Sequence, residues 1–94
     1  MQTFVIFRRG AWEDAPELED AAAESTRVAD EDMPDQVKWI RSYVLDEEDG
    51  TLGTVCIYQA EDEDVIMEHA QRAGLSADEI IPVLNTVIVR DDPL

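Results

Sequence analysis

Along this chain the spacing of apolar residues switches between the two-residue period of strands and the three-to-four-residue period of helices. Phe4, Val5, Ile6 and Phe7 are β-favouring and predict a first strand over Thr3–Arg9. Gly10–Asp14 connects it to a helix predicted from Pro16 to Ala29. Pro16 suits the first turn, and Glu17, Glu19 and Asp20 complement the positive end of the helix dipole. Leu18, Ala21, Ala22, Ser25, Val28 and Ala29 form its inner stripe, and the alanines imply close approach to whatever it covers. The acidic stretch Asp30–Gln36 contains Pro34 and reads as a loop. Val37–Leu45 and Leu52–Gln59 are two further strands joined by the polar loop Asp46–Thr51. A second helix covers Glu61–Ala73 and closes on Gly74 in the left-handed C′ position, with Leu75 packing back onto it. Ser76 and Glu79 have the spacing of a capping box for one further turn. Ile80–Arg90 supplies the last strand or strands, with Pro82 marking an edge or an interruption, and Asp91–Leu94 is expected to fray. The order β-α-β-β-α-β is that of an α+β ferredoxin-like fold, an antiparallel sheet with two helices on one face. No internal repeat or linker divides the chain, so residues 1–94 read as one domain.

Alternation along a strand assigns the faces of the hairpin. If Leu45 pairs with Leu52, Arg41 faces Cys56 and Trp39 faces Tyr58, so that Trp39, Arg41, Tyr43, Cys56 and Tyr58 share one face. Ile40, Val44, Val55 and Ile57 share the other and are expected beneath the helices. A one-residue slip would scramble both sets. Aromatic rings and a guanidinium on a helix-free face need cover. Two kinds of cover fit: a homodimer interface, where Trp, Tyr and Arg concentrate, and a ligand cavity between subunits. Trp39, Arg41, Tyr43, Cys56 and Tyr58 are therefore the candidate ligand-binding residues.

Charge narrows the partners. The chain carries 23 acidic residues against 7 basic ones, a net charge of −16. Phosphate binding needs clustered Lys and Arg, so nucleic acid is excluded as a partner, and an anionic membrane surface is disfavoured for the same reason. No apolar run approaches the length of a membrane span, and the amino terminus lacks the pattern of a signal peptide, so a cytoplasmic protein is expected. Cys56 is the single cysteine, which rules out an intramolecular disulfide and a Cys-rich zinc site.

The stretch Trp39–Val83 carries a family resemblance. It has two alternating strands, the pair Cys56-x-Tyr58 on the second of them, and a helix ending His69-Ala70-x-x-Ala73-Gly74. In order and residue types it resembles the DUF4242 family of small bacterial α+β proteins, whose members are often called nickel-binding or nickel-responsive. The resemblance implies a ferredoxin-like fold and a sheet-to-sheet homodimer of the α/β-barrel type. It also implies a divalent metal, with Ni²⁺ the candidate, and it carries over no specific ligands.

His69 is the only histidine and lies on the flank of the second helix beside Val65. It reads either as a half-buried residue closing the helix–sheet seam or as a metal ligand, the candidate nickel anchor. The predicted faces separate it from Cys56, which argues against a Cys–His nucleophile and against a metal site shared by the two within one subunit. Cys56 reads as a packed thiol, with Arg41 the feature able to lower its pKa. The carboxylate runs Asp46–Asp49, Glu61–Asp64 and Asp30–Asp32 do not match a calcium loop and read as solvated charge able to hold hard cations loosely. No catalytic residue is singled out. The reading reached is non-enzymatic binding of a divalent metal or small ligand. The rivals are an enzyme with a small acidic or aromatic substrate in a dimer cleft, and an acidic module docking a basic partner.

Overall fold

The computed structural model describes residues 1–91. In chain order it comprises β1 (Gln2–Trp12), α1 (Ala15–Arg27), β2 (Val37–Asp46), β3 (Leu52–Ala60), α2 (Glu63–Ala73) and β4 (Glu79–Pro82). The strands form one antiparallel sheet in the order β2-β3-β1-β4, so the expected ferredoxin-like arrangement is the one observed. No helix among the described residues is long and apolar enough to cross a membrane.

Both helices begin on an aspartate. Asp14 accepts from the Glu17 amide at 3.0 Å and Asp62 from the Val65 amide at 2.9 Å, each satisfying a backbone donor that the first helical turn leaves free. α2 stops at Gly74, whose φ of 71° is left-handed, and the Leu75 amide reaches back to the Ala70 carbonyl at 2.8 Å, as the sequence predicts. α1 continues instead into a π-helical turn, Val28–Asp32, which keeps Val28 and Ala29 buried. The core lies between the helices and one sheet face. Phe4 and Ile6 of β1, Cys56, Tyr58 and Ala60 of β3, Ile66 and Ala73 of α2, and Val28, Ala29, Met33 and Val37 pack there.

Three expectations are corrected. The first is the assignment of the hairpin faces. Asp46, rather than Leu45, pairs with Leu52, and Trp39 pairs with Tyr58, but the register then shifts so that Arg41 pairs with Ile57. Ile40 is the extra residue of a β-bulge, and a bulge exchanges the faces of everything beyond it on its own strand. Trp39, Cys56 and Tyr58 lie on the helix-covered face, and Ser42 and Val44 join them past the bulge. Arg41 and Tyr43 lie on the opposite face, with Val55 and Ile57. The smooth Val/Ile set is therefore not the core. The inward set of β3 is fixed by its pairing with β1, where Phe4, Ile6 and Arg8 sit opposite Tyr58, Cys56 and Thr54.

The second correction is the capping box, which does not form. The Asp78 amide donates to the Phe7 carbonyl at 3.1 Å, and the Asp78 carboxylate accepts from the Arg9 amide at 2.8 Å, so this segment is drawn alongside β1 and enters β4 directly. The third is the last strand, which is shorter than Ile80–Arg90. Pro82 lacks an amide hydrogen, and β4 ends there. The Val83 amide still reaches the Thr3 carbonyl at 2.9 Å, but residues 84–91 pair with no strand among the described residues. Of the frayed tail expected at Asp91–Leu94, residues 92–94 lie outside the described residues.

Candidate functional site

α1 stands off the sheet. Ser25 is its only buried residue, and Leu18, Ala21 and Ala22 of its inner stripe face a space rather than a packed surface. That space is a cavity of about 320 Å³, at the small end of small-molecule sites. Its floor is Arg8 of β1 with Thr54, Cys56 and Tyr58 of β3. Trp39, Ser42 and Val44 of β2 close one side, and Trp12 and Leu75 complete the wall. The short alanines that predict close approach instead leave room.

Arg8 is the unusual group in this wall. It is 1% exposed, on the same strand face as Phe4 and Ile6. Its Nε donates to the Ser76 carbonyl at 2.6 Å and its Nη1 to the Cys56 thiol at 3.2 Å, while Nη2 has no partner. The guanidinium lies 5.8 Å from the centroid of the Tyr58 ring. No carboxylate pairs with it among the described residues, although Arg9, Arg27 and Arg72 each pair with acidic side chains at the surface. Arginine stays protonated in proteins, so the wall holds a buried positive charge without a counter-charge.

The neighbouring groups are neutral. Burial pushes the Tyr58 phenol above its ordinary value, against the Ser25 hydrogen bond and the Arg8 charge. Its hydroxyl lies 3.1 Å from Ser25 Oγ. Trp39 stacks on Tyr58 with ring centroids 6.0 Å apart and planes 10° from parallel, and its Nε1 donates to Ser42 Oγ at 2.8 Å. The Cys56 thiol donates to Thr54 Oγ1 at 3.3 Å. Among the described residues Glu19 is the only carboxylate in the cavity wall, on the exposed side of α1, and it forms no ion pair with them.

His69 is fully buried behind this wall, its ring 5.2 Å from that of Tyr58. Nε2 lies 3.1 Å from the Ser25 carbonyl, which can only accept, so Nε2 carries the proton. Nδ1 is then a lone pair without a partner. Burial is the main cause holding the imidazole below its usual pKa range; the Ser25 carbonyl opposes it and the Arg8 charge adds to it. This environment does not fit a nickel centre. Among the described residues no group of three or more His, Cys, Asp or Glu side chains is placed to share an ion. The acidic hairpin loop is also engaged locally. Glu47 accepts from Arg9 at 2.9 and 3.1 Å and from the Gly10 amide at 2.7 Å, and Asp49 accepts from Thr51 at 2.6 and 3.0 Å.

Of the five candidate ligand-binding residues, the cavity gathers Trp39, Cys56 and Tyr58. Arg41 and Tyr43 line a different and wider cleft of about 810 Å³ on the helix-free face. Thr3, Val5 and Ile57 share that cleft with the segment from Val83 to Asp91, which passes in front of the sheet. Arg8, Ser25 and Thr54 also belong to the cavity; of these the sequence marks only Ser25, as part of the inner stripe of α1, and none as a site residue. The available signal was phase: Arg8 alternates with Phe4 and Ile6, which places a cation on the side of two core residues.

A family model described as nickel responsive protein SCO4226-like matches residues 4–83. The crystal structure of SCO4226 from Streptomyces coelicolor A3(2) superposes with a TM-score of 0.72 at 19% identity, covering 90% of this chain and 99% of that one, a likeness that speaks to the fold. No curated protein sequence matches.

Proposed function

This chain belongs to the nickel responsive SCO4226-like family, and we propose that its own role is non-enzymatic binding of a small ligand in the cavity between α1 and the sheet. The observation that carries this reading is the standing-off of α1 over an apolar space floored by the buried, uncompensated Arg8. Empty apolar volume loses dispersion contacts on every side, and a molecule that fills it restores them. A few polar groups in a mostly apolar wall is the composition of small-molecule sites. The dimer-cleft enzyme required Trp39, Arg41, Tyr43, Cys56 and Tyr58 in one place, and the two sheet faces divide them. The test is a thermal-shift screen of small organic molecules run in parallel on the wild type and on Ala22→Trp, whose indole occupies the space. Compounds that raise the wild-type Tm and leave the variant unmoved are expected. A diverse set that moves both equally, or moves neither, contradicts the reading.

Family membership supports a second reading, a link to nickel. In this chain we propose that divalent metal is held weakly by surface carboxylates and not by His69, whose unpartnered Nδ1 is enclosed with no second ligand in place. Calorimetric titration should then give weak, multiple binding that is similar for Ni²⁺ and Mg²⁺ and unchanged in His69→Ala. A tight stoichiometric Ni²⁺ isotherm that disappears in His69→Ala would overturn it.

We also propose that two copies associate through the helix-free face. Across that face Arg41, Ile57, Val5 and Ile81 lie in one hydrogen-bonded row. Tyr43 is 51% exposed, and Leu84, Val87, Ile88 and Val89 of the unpaired segment are 78–100% exposed. Several large apolar side chains left exposed on one side of a small domain favour an interaction surface there.

A further inference from the structure

We propose that the ligand of the α1 cavity is a small monoanion with an apolar body, most simply an aromatic or branched carboxylate, whose anionic head is bound by Arg8. The proposal rests on the reading of this cavity as a small-ligand site and names what enters it.

The anion is required by the charge balance of the wall. Burying a cation with no counter-ion is among the costlier things a fold can do, and removing one partner of a buried pair leaves this situation. Here it arises in a chain with 23 acidic residues, and the arginines that found acidic partners within the chain, Arg9, Arg27 and Arg72, are surface residues. Arg8 is held in place by the fold, with Nε on the Ser76 carbonyl and Nη1 on the Cys56 thiol. Two of the five guanidinium N–H donors are thereby occupied, and three remain, both on Nη2 among them. A planar fork with donors to spare suits a carboxylate, which accepts two parallel hydrogen bonds. The other polar groups nearby, the hydroxyls of Tyr58, Ser25 and Thr54, are neutral and able to donate to a second oxygen. A cationic ligand would meet Arg8 with like charge, and a neutral one would leave it uncompensated.

The rest of the wall selects the body. Trp12, Leu18, Trp39 and Leu75 present apolar surface, and the indole of Trp39 stacks flat against Tyr58. The volume of about 320 Å³, at the small end of small-molecule sites, suits a body of one or two rings or a short branched chain. Glu19 lies on the exposed side of the wall, so a dianion or a ligand with a second charge at its far end meets repulsion there. Specificity for one negative charge, placed at the deep end, follows from this arrangement.

Both tryptophans of the chain, Trp12 and Trp39, line the cavity, so intrinsic emission reads the site directly. The experiment titrates the ligand-free protein with benzoate, phenylacetate and isovalerate, each beside its uncharged amide. Saturable binding of at least one carboxylate is expected, at least tenfold tighter than that of its amide. Arg8→Met should abolish the difference, and Arg8→Lys, which keeps the charge but loses the fork, should weaken carboxylate binding at least tenfold. Circular dichroism confirms that each variant is folded; if Arg8→Met is not, Arg8→Lys carries the test. Amides that bind as well as their acids would overturn the anion assignment while leaving the small-ligand reading in place. Binding by none of the six would overturn both. Carboxylate binding that survives both Arg8 variants would place the anion elsewhere.

Discussion

His69 and Arg8 are buried side chains each with an atom that finds no partner, and they differ in what pH does to them. An arginine side chain is always protonated in proteins. His69 is held neutral, its folded pKa lowered chiefly by burial. In the window below the unfolded value of about 6.5, the unfolded chain binds a proton that the folded chain refuses. Stability contributed by neutral His69 is therefore complete above that value and is lost progressively as pH falls from it through the lower folded value. Urea unfolding of the wild type and of His69→Gln between pH 7.5 and 5 isolates this contribution from the many carboxylates. The wild type should lose more stability than the variant over that interval, whereas parallel curves would mean that the imidazole titrates as it does in water. At this scale the sequence was partly legible. That His69 closes the helix–sheet seam follows from its place beside the α2 core stripe. The role of Arg8 did not stand out, because a charged residue at the end of an apolar strand ordinarily marks the strand leaving the core. Only the phase with Phe4 and Ile6, and then a wall with no carboxylate to meet it, makes it a binding group.

At the scale of elements, local chemistry was readable and long-range register was not. The aspartate caps, the left-handed Gly74 and the order of strands and helices each depend on a few adjacent residues. The faces of β2 depend on one extra residue at Ile40, and nothing in the local sequence marks that bulge. Counting alternation from Leu45 gave a self-consistent hairpin in which the smooth aliphatic set lay beneath the helices. Pairing with β1 overrules it, because Phe4 and Ile6 must be buried and they sit opposite Tyr58 and Cys56. The capping box at Ser76 failed for a related reason. A single further helical turn is marginal by itself, and the hydrogen bonds that Asp78 makes to β1 outweigh it. The alternative site built on Trp39, Arg41, Tyr43, Cys56 and Tyr58 was lost with the hairpin register. Trp39, Cys56 and Tyr58 stay together in the cavity.

For the whole molecule, the two sheet faces take different roles. One carries the helices and the cavity; the other carries Tyr43, Ile81 and a segment of β-branched residues from Thr86 to Val89 that pairs with no strand among the described residues. Trp39, which alternation from Leu45 places on the helix-free face, stacks instead on Tyr58 beneath the helices. Tyr43 is the exposed aromatic residue of the free face and the anchor of the proposed interface. Truncation of a central interface aromatic costs about 2–4 kcal/mol of association, so Tyr43→Ala should sediment as a monomer at micromolar concentration where the wild type is dimeric. A wild type that is monomeric at high concentration would remove the interface proposal and leave the cavity untouched. The cavity itself is the central claim, and a crystal structure of the protein freed of bound ligand tests it most directly. It should show α1 standing off the sheet, open space between Leu18 and Trp39, and no side-chain carboxylate against the Arg8 guanidinium. An α1 settled on the sheet, with Ala21 and Ala22 packed onto Thr54 and Cys56 and Glu19 paired with Arg8, would contradict the account.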